Sequence, residues 1–193
     1  MVSVNSTMLP LGTEAPAFDL PDPAGGGRVS LDQLGEAPAL LVIFLSNHCP
    51  YVKHIATQLG ALTRRWIARG VAVVGINSND VNAYPDDAPE QMVTFARQAG
   101  WDFPYLFDED QSVAKAYRAA CTPDFFLFDG DRRLVYRGQF DGSRPGNDRP
   151  VTGADLEAAV EAVLSGRPVP EDQHPSLGCN IKWKPGNEPD YFG

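Results

Sequence analysis

The residues with the clearest chemical potential lie in the segment VIFLSNHCPYVKH, residues 42–54, where Cys49 follows an apolar run and precedes a proline. Pro50 suits the first position of a helix, because its missing N–H group would have no helical partner there. A thiol at a helix N-terminus faces unpaired N–H groups and the positive end of the helix dipole, and both favour the thiolate. Lys53 and His54 follow within about one helical turn and add positive potential. Cys49 is therefore a candidate nucleophile toward disulfides and peroxides.

The chain has three cysteines, Cys49, Cys121 and Cys179, whose odd number and wide spacing do not form a disulfide framework. We predict no metal site, because His48, Cys49 and His54 would be a weak ligand set without carboxylates. We also expect no cofactor. His48 could carry a proton or set the shape of the turn. The alternative for Cys49 is a small buried hydrophobe at a strand end, a common role for a cysteine.

Composition excludes several classes of function. The formal charge of −9 and a pI near 4.7 argue against an electrostatic nucleic-acid binder or a basic membrane-surface helix. The longest apolar run, residues 39–45, is far shorter than the ~20 residues that a transmembrane helix needs. Residues 1–18 have neither a basic nor a long apolar region, so we expect no secretory signal. Scattered thiols then favour a cytoplasmic protein.

Hydrophobic patterning predicts alternating strands and helices around Cys49. Continuous apolar runs at 39–46 and 71–77 are typical of central strands covered on both faces. Apolar residues at helical spacing between them predict a helix over 50–69 that Gly70 ends. Later patterns predict helices at 89–99, 110–118 and 153–164, a short strand at 103–108, and a hairpin of strands at 124–129 and 133–140.

This order of elements predicts an α/β fold whose parallel core is extended by an antiparallel hairpin into a mixed sheet. The length suits one domain with an ordinary core. We place that domain at residues 1–170 and expect residues 171–193, which have no clear periodicity, to form a C-terminal tail that packs on it.

Four segments carry a resemblance to a known family: GTEAPAFDL near the start, NHCPYV at Cys49, DEDQSVAKAY at 108–117, and TPDFFLFD at 122–129. They resemble the thioredoxin superfamily in its peroxiredoxin-like branch, the alkyl hydroperoxide reductase/thiol-specific antioxidant type. NHCPYVKH, FDGSRPGN and GCNIKWKPGN resemble a little-characterised group of bacterial thioredoxin-family proteins. The resemblance implies a thioredoxin-like fold, with a mixed central sheet flanked by helices, an N-terminal extension and a strand-helix insertion. It also implies a cis-proline at Pro123 that packs against Cys49.

The chain departs from both patterns of that family. Thioredoxins carry C-x-x-C, but here Val52 occupies the position of the second cysteine. Peroxiredoxins carry P-x-x-x-T-x-x-C, and here Ser46 stands at the threonine position while Val42 replaces the proline. They also have a later arginine that polarises the peroxide, whereas the nearest arginine to Pro123 is Arg118 on the preceding helix. These departures argue against fast peroxidase chemistry and leave slow peroxide reaction open.

The resemblance places Cys121, two residues before Pro123, in the loop that faces Cys49. A transient disulfide between Cys49 and Cys121 would then resolve the intermediate, and Cys179 could serve instead if the tail folds over the site. We thus expect a thiol oxidoreductase that acts on a disulfide or a peroxide through Cys49, with Ser46 and Pro123 shaping the site. The alternatives are a redox-sensing or binding module without turnover, and a protein that delivers or shields a thiol on a partner. The sequence does not predict the reductant or the oligomeric state.

Overall fold

The computed structural model describes residues 3–192, and within them a five-stranded mixed sheet forms the centre of the molecule. In chain order the strands are β1 (Ser3–Asn5), β2 (Asp19–Asp22), β3 (Gly27–Ser30), β4 (Ala39–Phe44), β5 (Ala72–Asn77), β6 (Tyr105–Phe107), β7 (Cys121–Thr122), β8 (Asp124–Asp129), β9 (Leu134–Gly138) and β10 (Leu177–Asn180). The helices are α1 (Pro50–Ile67), α2 (Pro89–Ala99), α3 (Ser112–Ala116) and α4 (Ala154–Leu164).

The central sheet has the strand order β6-β5-β4-β8-β9. The strands β4, β5 and β6 are parallel, and β8 and β9 form an antiparallel hairpin on the other side of β4. Parallel strands and crossover helices place the carboxyl ends of β4 and β5 at one edge of the sheet. Cys49 follows β4, so the reactive thiol lies at this edge.

Both faces of the central sheet are buried, which explains the continuous apolar runs of its strands. Side chains alternate along β4, so that Leu41 and Ile43 pack with α1, α2 and α4 on one face. Leu40 and Val42 pack with α3 and the N-terminal segment on the other face. Burying one such side chain is worth about 1.5–3 kcal/mol. The two packed faces hold the β4–α1 junction in place.

A second, three-stranded sheet has the order β1-β10-β7. Its middle strand, β10, comes from the C-terminal segment, for which the sequence indicated no element. β10 pairs antiparallel with β1 at the N-terminus and with β7 just before Pro123. The strands β2 and β3 form a separate hairpin. The C-terminal segment thus contributes to the edge of the sheet where Cys49 lies.

The predicted mixed α/β fold is confirmed, and the element bounds differ from the predicted ones by a few residues at their ends. The predicted helix over 110–118 is shorter than expected, since α3 covers only Ser112–Ala116. Within residues 3–192, no helix is long and apolar enough to cross a membrane.

Candidate active site

Cys49 lies at the N-cap of α1, at the end of the loop that follows β4. Its backbone is extended and Pro50 occupies the first turn of the helix, as the sequence predicts. The Cys49 side chain is 0% exposed. Its Sγ atom is 3.1 Å from the carbonyl oxygen of Thr122, and the Thr122–Pro123 peptide bond is cis. The start of α1 and the cis-proline loop therefore meet at the Cys49 sulfur.

The second sulfur at this site belongs to Cys179 in β10, whose Sγ atom is 2.8 Å from that of Cys49. Both residues are thiols in this structure. In the antiparallel register Cys179 lies directly opposite Thr122. Gly178 permits this close approach, because a Cβ atom there would lie 2.0 Å from the carbonyl oxygen of Thr122. The C-terminal segment thereby holds a thiol against the helix start.

Hydrogen bonding between the two sulfur atoms separates their acidities. Burial is the largest influence on Cys49 and raises its pKa, but hydrogen bonds, first that from the Cys179 side chain and then that from the Val52 backbone, lower the pKa from 9.0 to about 6. The pKa of Cys179 is raised, first by its hydrogen bond to Cys49 and then by burial. At neutral pH the pair is therefore a Cys49 thiolate that accepts a hydrogen bond from the Cys179 thiol.

Cys121 precedes Thr122 in β7 and has a different environment. It is fully buried, its thiol donates to the carbonyl oxygen of Pro123 at 3.6 Å, and burial raises its pKa well above 9.0. Across the strands Cys121 lies opposite Asn180. Among the described residues, the thiol hydrogen-bonded to Cys49 is thus that of Cys179. The resolving role of Cys121 stays a prediction from the sequence.

Ser46 is buried, and its hydroxyl belongs to a polar cluster around Asp87. The hydroxyl donates to the two carboxylate oxygens of Asp87 at 3.3 and 3.2 Å and lies 3.2 Å from Nδ1 of His48. Asp87 is 0% exposed and also accepts hydrogen bonds from the backbone of Asn47 and the side chain of Asn79. Burial alone would raise the pKa of Asp87, but the hydrogen bonds, above all that of His48, lower it. The Asp87 carboxylate is therefore ionised at neutral pH.

Asn79 connects this cluster to the C-terminal segment. Its Nδ2 donates to Asp87 at 2.7 Å, and its Oδ1 accepts the backbone N–H of Lys182 at 2.8 Å. The Lys182 carbonyl in turn accepts from the Asp80 backbone and the Gln111 side chain at 2.8 and 3.0 Å. Asn79 belongs to the loop NSND, residues 77–80, which follows β5. Its side chains do form a turn, and they also fasten the segment that carries Cys179.

Lys182 brings a positive charge to the same region. The side chain is buried, and Nζ donates to the carbonyl and side-chain oxygens of Asn180 at 3.0 and 2.6 Å. Nζ also lies 5.6 Å from the centre of the Tyr84 ring, which stacks on His48 with 5.1 Å between ring centres. Burial lowers the pKa of Lys182, whereas the negative charges of the Cys49 thiolate and the Asp87 carboxylate act in the opposite direction. The tail thus adds a cation whose charge interacts with the Cys49 thiolate.

Two other residues that the sequence singled out lie in different surroundings. Arg118 packs over the ring of Tyr191 at 4.6 Å and pairs with Asp190 at 3.7 Å. His54, on α1, has its Nε2 atom 3.1 Å from the hydroxyl of Ser143. In the part of the chain that the structure describes, no group of three or more His, Cys, Asp or Glu side chains is arranged to hold a metal ion.

Comparison with solved structures shows the same fold in proteins of two bacteria. An uncharacterised conserved protein from Geobacillus kaustophilus is 52% identical, with a TM-score of 0.94 over 96% of this chain and 98% of that one. The thioredoxin domain of a thiol-disulfide oxidoreductase from Bacteroides vulgatus is 19% identical, with a TM-score of 0.60 over 79% of this chain and 99% of that one. This second likeness shows that the fold is thioredoxin-like, as the sequence predicts.

Sequence comparison gives the family. A candidate peroxiredoxin of Mycobacterium tuberculosis is 32% identical over 114 residues, which are 59% of this chain and 67% of that protein. The AhpC/TSA family pattern matches residues 11–137. That range includes Cys49, Ser46 and the cis-proline loop and ends before Cys179, which lies outside the matched part. The chain belongs to the AhpC/TSA family.

Proposed function

We propose that the protein is a two-cysteine thiol oxidoreductase in which Cys49 is the nucleophile and Cys179 resolves the intermediate. The observation that carries this proposal is the sulfur pair itself: two Sγ atoms 2.8 Å apart, with a pKa of about 6 for Cys49. A thiolate is the form that attacks peroxides and disulfides. The family supports thiol-based redox chemistry, and the geometry supports these two residues for it.

With a hydroperoxide, the Cys49 thiolate attacks the terminal oxygen and the O–O bond breaks. The products are Cys49 sulfenic acid and an alkoxide, or hydroxide from hydrogen peroxide, which takes up a proton. The sulfur of Cys179 then attacks the Cys49 sulfur, and water leaves as the disulfide forms. An external dithiol reduces that disulfide back to two thiols. With a disulfide substrate, the same two sulfurs act in turn and two substrate thiols leave.

The acidities support this order of events. In the reduced pair, the hydrogen bond to Cys49 is the first cause of the raised pKa of Cys179, and the Cys49 charge is a further cause. Oxidation of Cys49 removes both, so the Cys179 thiol becomes more acidic when its attack is needed. Oxidation of Cys49 does not remove a hydrogen bond of Cys121, because the Cys121 thiol donates to the Pro123 carbonyl oxygen. This difference favours Cys179 over Cys121 as the resolving residue.

Burial favours a small oxidant as the direct substrate. Cys49 is 0% and Cys179 2% exposed, so a small peroxide fits the closed site better than a protein disulfide does. Three widely spaced cysteines do not make a disulfide framework, and we place the protein in the cytoplasm, with antioxidant activity. Cell fractionation tests the location.

A redox sensor without turnover is the second candidate. Its support is that two activating elements of peroxiredoxins are engaged elsewhere, since the Ser46 hydroxyl is bonded to Asp87 and Arg118 packs on Tyr191. A sensor would be oxidised once per molecule and would wait for a partner.

Peroxide consumption with excess dithiothreitol separates these candidates. We expect multiple turnovers for the wild type and for Cys121→Ser, and none for Cys49→Ser with an unchanged unfolding transition. The Cys179→Ser variant should accumulate over-oxidised Cys49, because the sulfenic acid stays unresolved. Full turnover by Cys49→Ser would refute the proposal, and a single oxidation of the wild type without turnover would favour the sensor.

A further inference from the structure

His48 has one ring nitrogen whose role the fold leaves open. Its Nδ1 atom lies 2.7 Å from a carboxylate oxygen of Asp87, and its ring stacks on Tyr84 with an interplanar angle of 10°. The side chain is 12% exposed. The Nε2 atom is buried and has no hydrogen-bond partner within residues 3–192. Buried polar nitrogens are nearly always paired, so an orphan nitrogen on the residue that directly precedes Cys49 points to a partner that is bound only during the reaction.

The hydrogen bond to Asp87 fixes which ring nitrogen of His48 is left for a substrate. Asp87 is fully buried and its lowered pKa keeps it ionised, so it accepts the Nδ1–H proton of His48. The same carboxylate is held by Ser46, Asn47 and Asn79 and cannot turn away easily. Nε2 is then the nitrogen that can exchange a proton with a substrate. The ionised carboxylate behind the ring also holds the imidazole in one orientation.

The surroundings of His48 join it to the sulfur pair. His48 directly precedes Cys49 in the chain, and Tyr84, which stacks on its ring, also lies under the ammonium group of Lys182. The charges of the Cys49 thiolate and the Asp87 carboxylate both raise the pKa of Lys182. The titratable groups that contact His48 are the Asp87 carboxylate and the Tyr84 ring, the Lys182 ammonium lies over the other partner of that stack, and Cys49 is the next residue in the chain.

We propose that His48, oriented by Asp87, donates a proton from Nε2 to the leaving oxygen when Cys49 attacks a hydroperoxide. The proposal rests on the function proposed above and adds a residue to it. As the Cys49 thiolate forms its S–O bond and the O–O bond breaks, the electron pair goes to the departing oxygen. The imidazolium of His48 transfers its proton to that oxygen, which leaves as an alcohol or as water. The neutral imidazole then regains a proton from solvent.

This assignment explains how the site could work without the peroxiredoxin arginine. An alkoxide or hydroxide is a poor leaving group unless it is protonated, and a positioned general acid contributes typically about 10²–10⁴-fold in rate. Asp87 is a positioning residue here, because it touches His48 and not the reacting atoms.

Two small reagents separate proton donation from every other role of His48. Iodoacetamide alkylates the same thiolate, but its leaving group, iodide, needs no proton. The His48→Gln variant should therefore lose about 10²-fold in the rate of Cys49 oxidation by hydrogen peroxide and keep its alkylation rate at a given thiolate fraction.

The matched control is His54→Gln, since His54 is on α1 and its Nε2 is bonded to Ser143. This variant should keep both rates. The Asp87→Asn variant should lower the peroxide rate more than the alkylation rate. Equal effects of His48→Gln on both reagents would overturn the proposal and leave His48 a structural role. If the wild type itself did not react with peroxide through Cys49, the proposed function would fail first, which is a different result.

Discussion

The division of acidity between the two thiols leads to a quantitative prediction for Cys179→Ala. This change removes the side chain whose hydrogen bond is the first of those that lower the pKa of Cys49. If the whole lowering is lost, the pKa returns from about 6 to 9.0. The thiolate fraction at pH 7 then falls from roughly 90% to roughly 1%.

The rate of alkylation changes less than the thiolate fraction. A thiolate of higher pKa is more nucleophilic, and a Brønsted coefficient of about 0.4–0.5 makes it about 15- to 30-fold more reactive for a shift of about 3 units. At pH 7 the variant should thus react only about three- to six-fold more slowly than the wild type. Above about pH 8 it should react faster, because the wild type is then almost fully ionised while the ionised part of the variant grows and is the more nucleophilic. The two pH profiles are therefore expected to cross.

The assay follows iodoacetamide labelling of Cys49 by mass spectrometry from pH 5 to pH 10, in a Cys121→Ser background. The matched variant is Cys179→Ser, whose hydroxyl keeps a hydrogen-bond donor of similar size and should hold the midpoint low. Cys179→Ala should move the midpoint upward by as much as about 3 pH units. An unchanged midpoint in Cys179→Ala would refute the claim that Cys179 stabilises the Cys49 thiolate.

Two further predictions concern the segments that carry the site. Gly178→Ala should slow disulfide formation about tenfold or more, because its Cβ atom would force β10 away from Thr122. The control Gly27→Ala has open space around its Cβ atom and should keep the wild-type rate. Equal rates of thiol loss in the two variants would contradict this prediction. Burial raises the pKa of Asp124 from 3.8 to about 7, so its contribution to stability is full below pH 3.8 and is lost as the pH rises through 7. The free energy of unfolding of Asp124→Asn, measured in urea, should therefore rise by up to about 4 kcal/mol relative to that of the wild type between pH 4 and pH 8. A difference that stays constant with pH would show that the Asp124 carboxyl does not titrate in this range.

The sheet and the position of Cys49 could be predicted from local patterns. Long apolar runs such as β4 and β5 are buried on both faces, and Pro50 marks the helix start, so short-range information is sufficient there. The family resemblance added the cis bond before Pro123, which lies outside what apolar periodicity can indicate.

The partner thiol depended on long-range pairing. β10 is only four residues long and has no apolar alternation, and it exists because β1 and β7 flank it. In such a pairing the register decides whether Thr122 or Cys121 faces Cys179, and a sequence does not specify that register. Gly178 is the one signal that could have suggested a close backbone approach beside Cys179.

The Asp87 cluster was also beyond the sequence. Asp87 lies in the segment YPDDAPE, whose acidic residues look alike, and only the fold brings this one beneath His48. The loop NSND follows the carboxyl end of β5, which is the edge of the sheet where ligand sites of open α/β sheets lie. Asn79 of this loop binds Asp87 at that edge.

The central claim is that Cys49 and Cys179 form the redox pair, and peptide mapping of the oxidised protein tests it most directly. Reduced protein would receive one equivalent of hydrogen peroxide, be blocked with an alkylating agent and be digested without reductant. We expect an intact mass lower by two hydrogens and a peptide pair that links Cys49 to Cys179, with Cys121 alkylated after unfolding. A link between Cys49 and Cys121, or an oxygen retained on Cys49 with both other thiols alkylated, would contradict it.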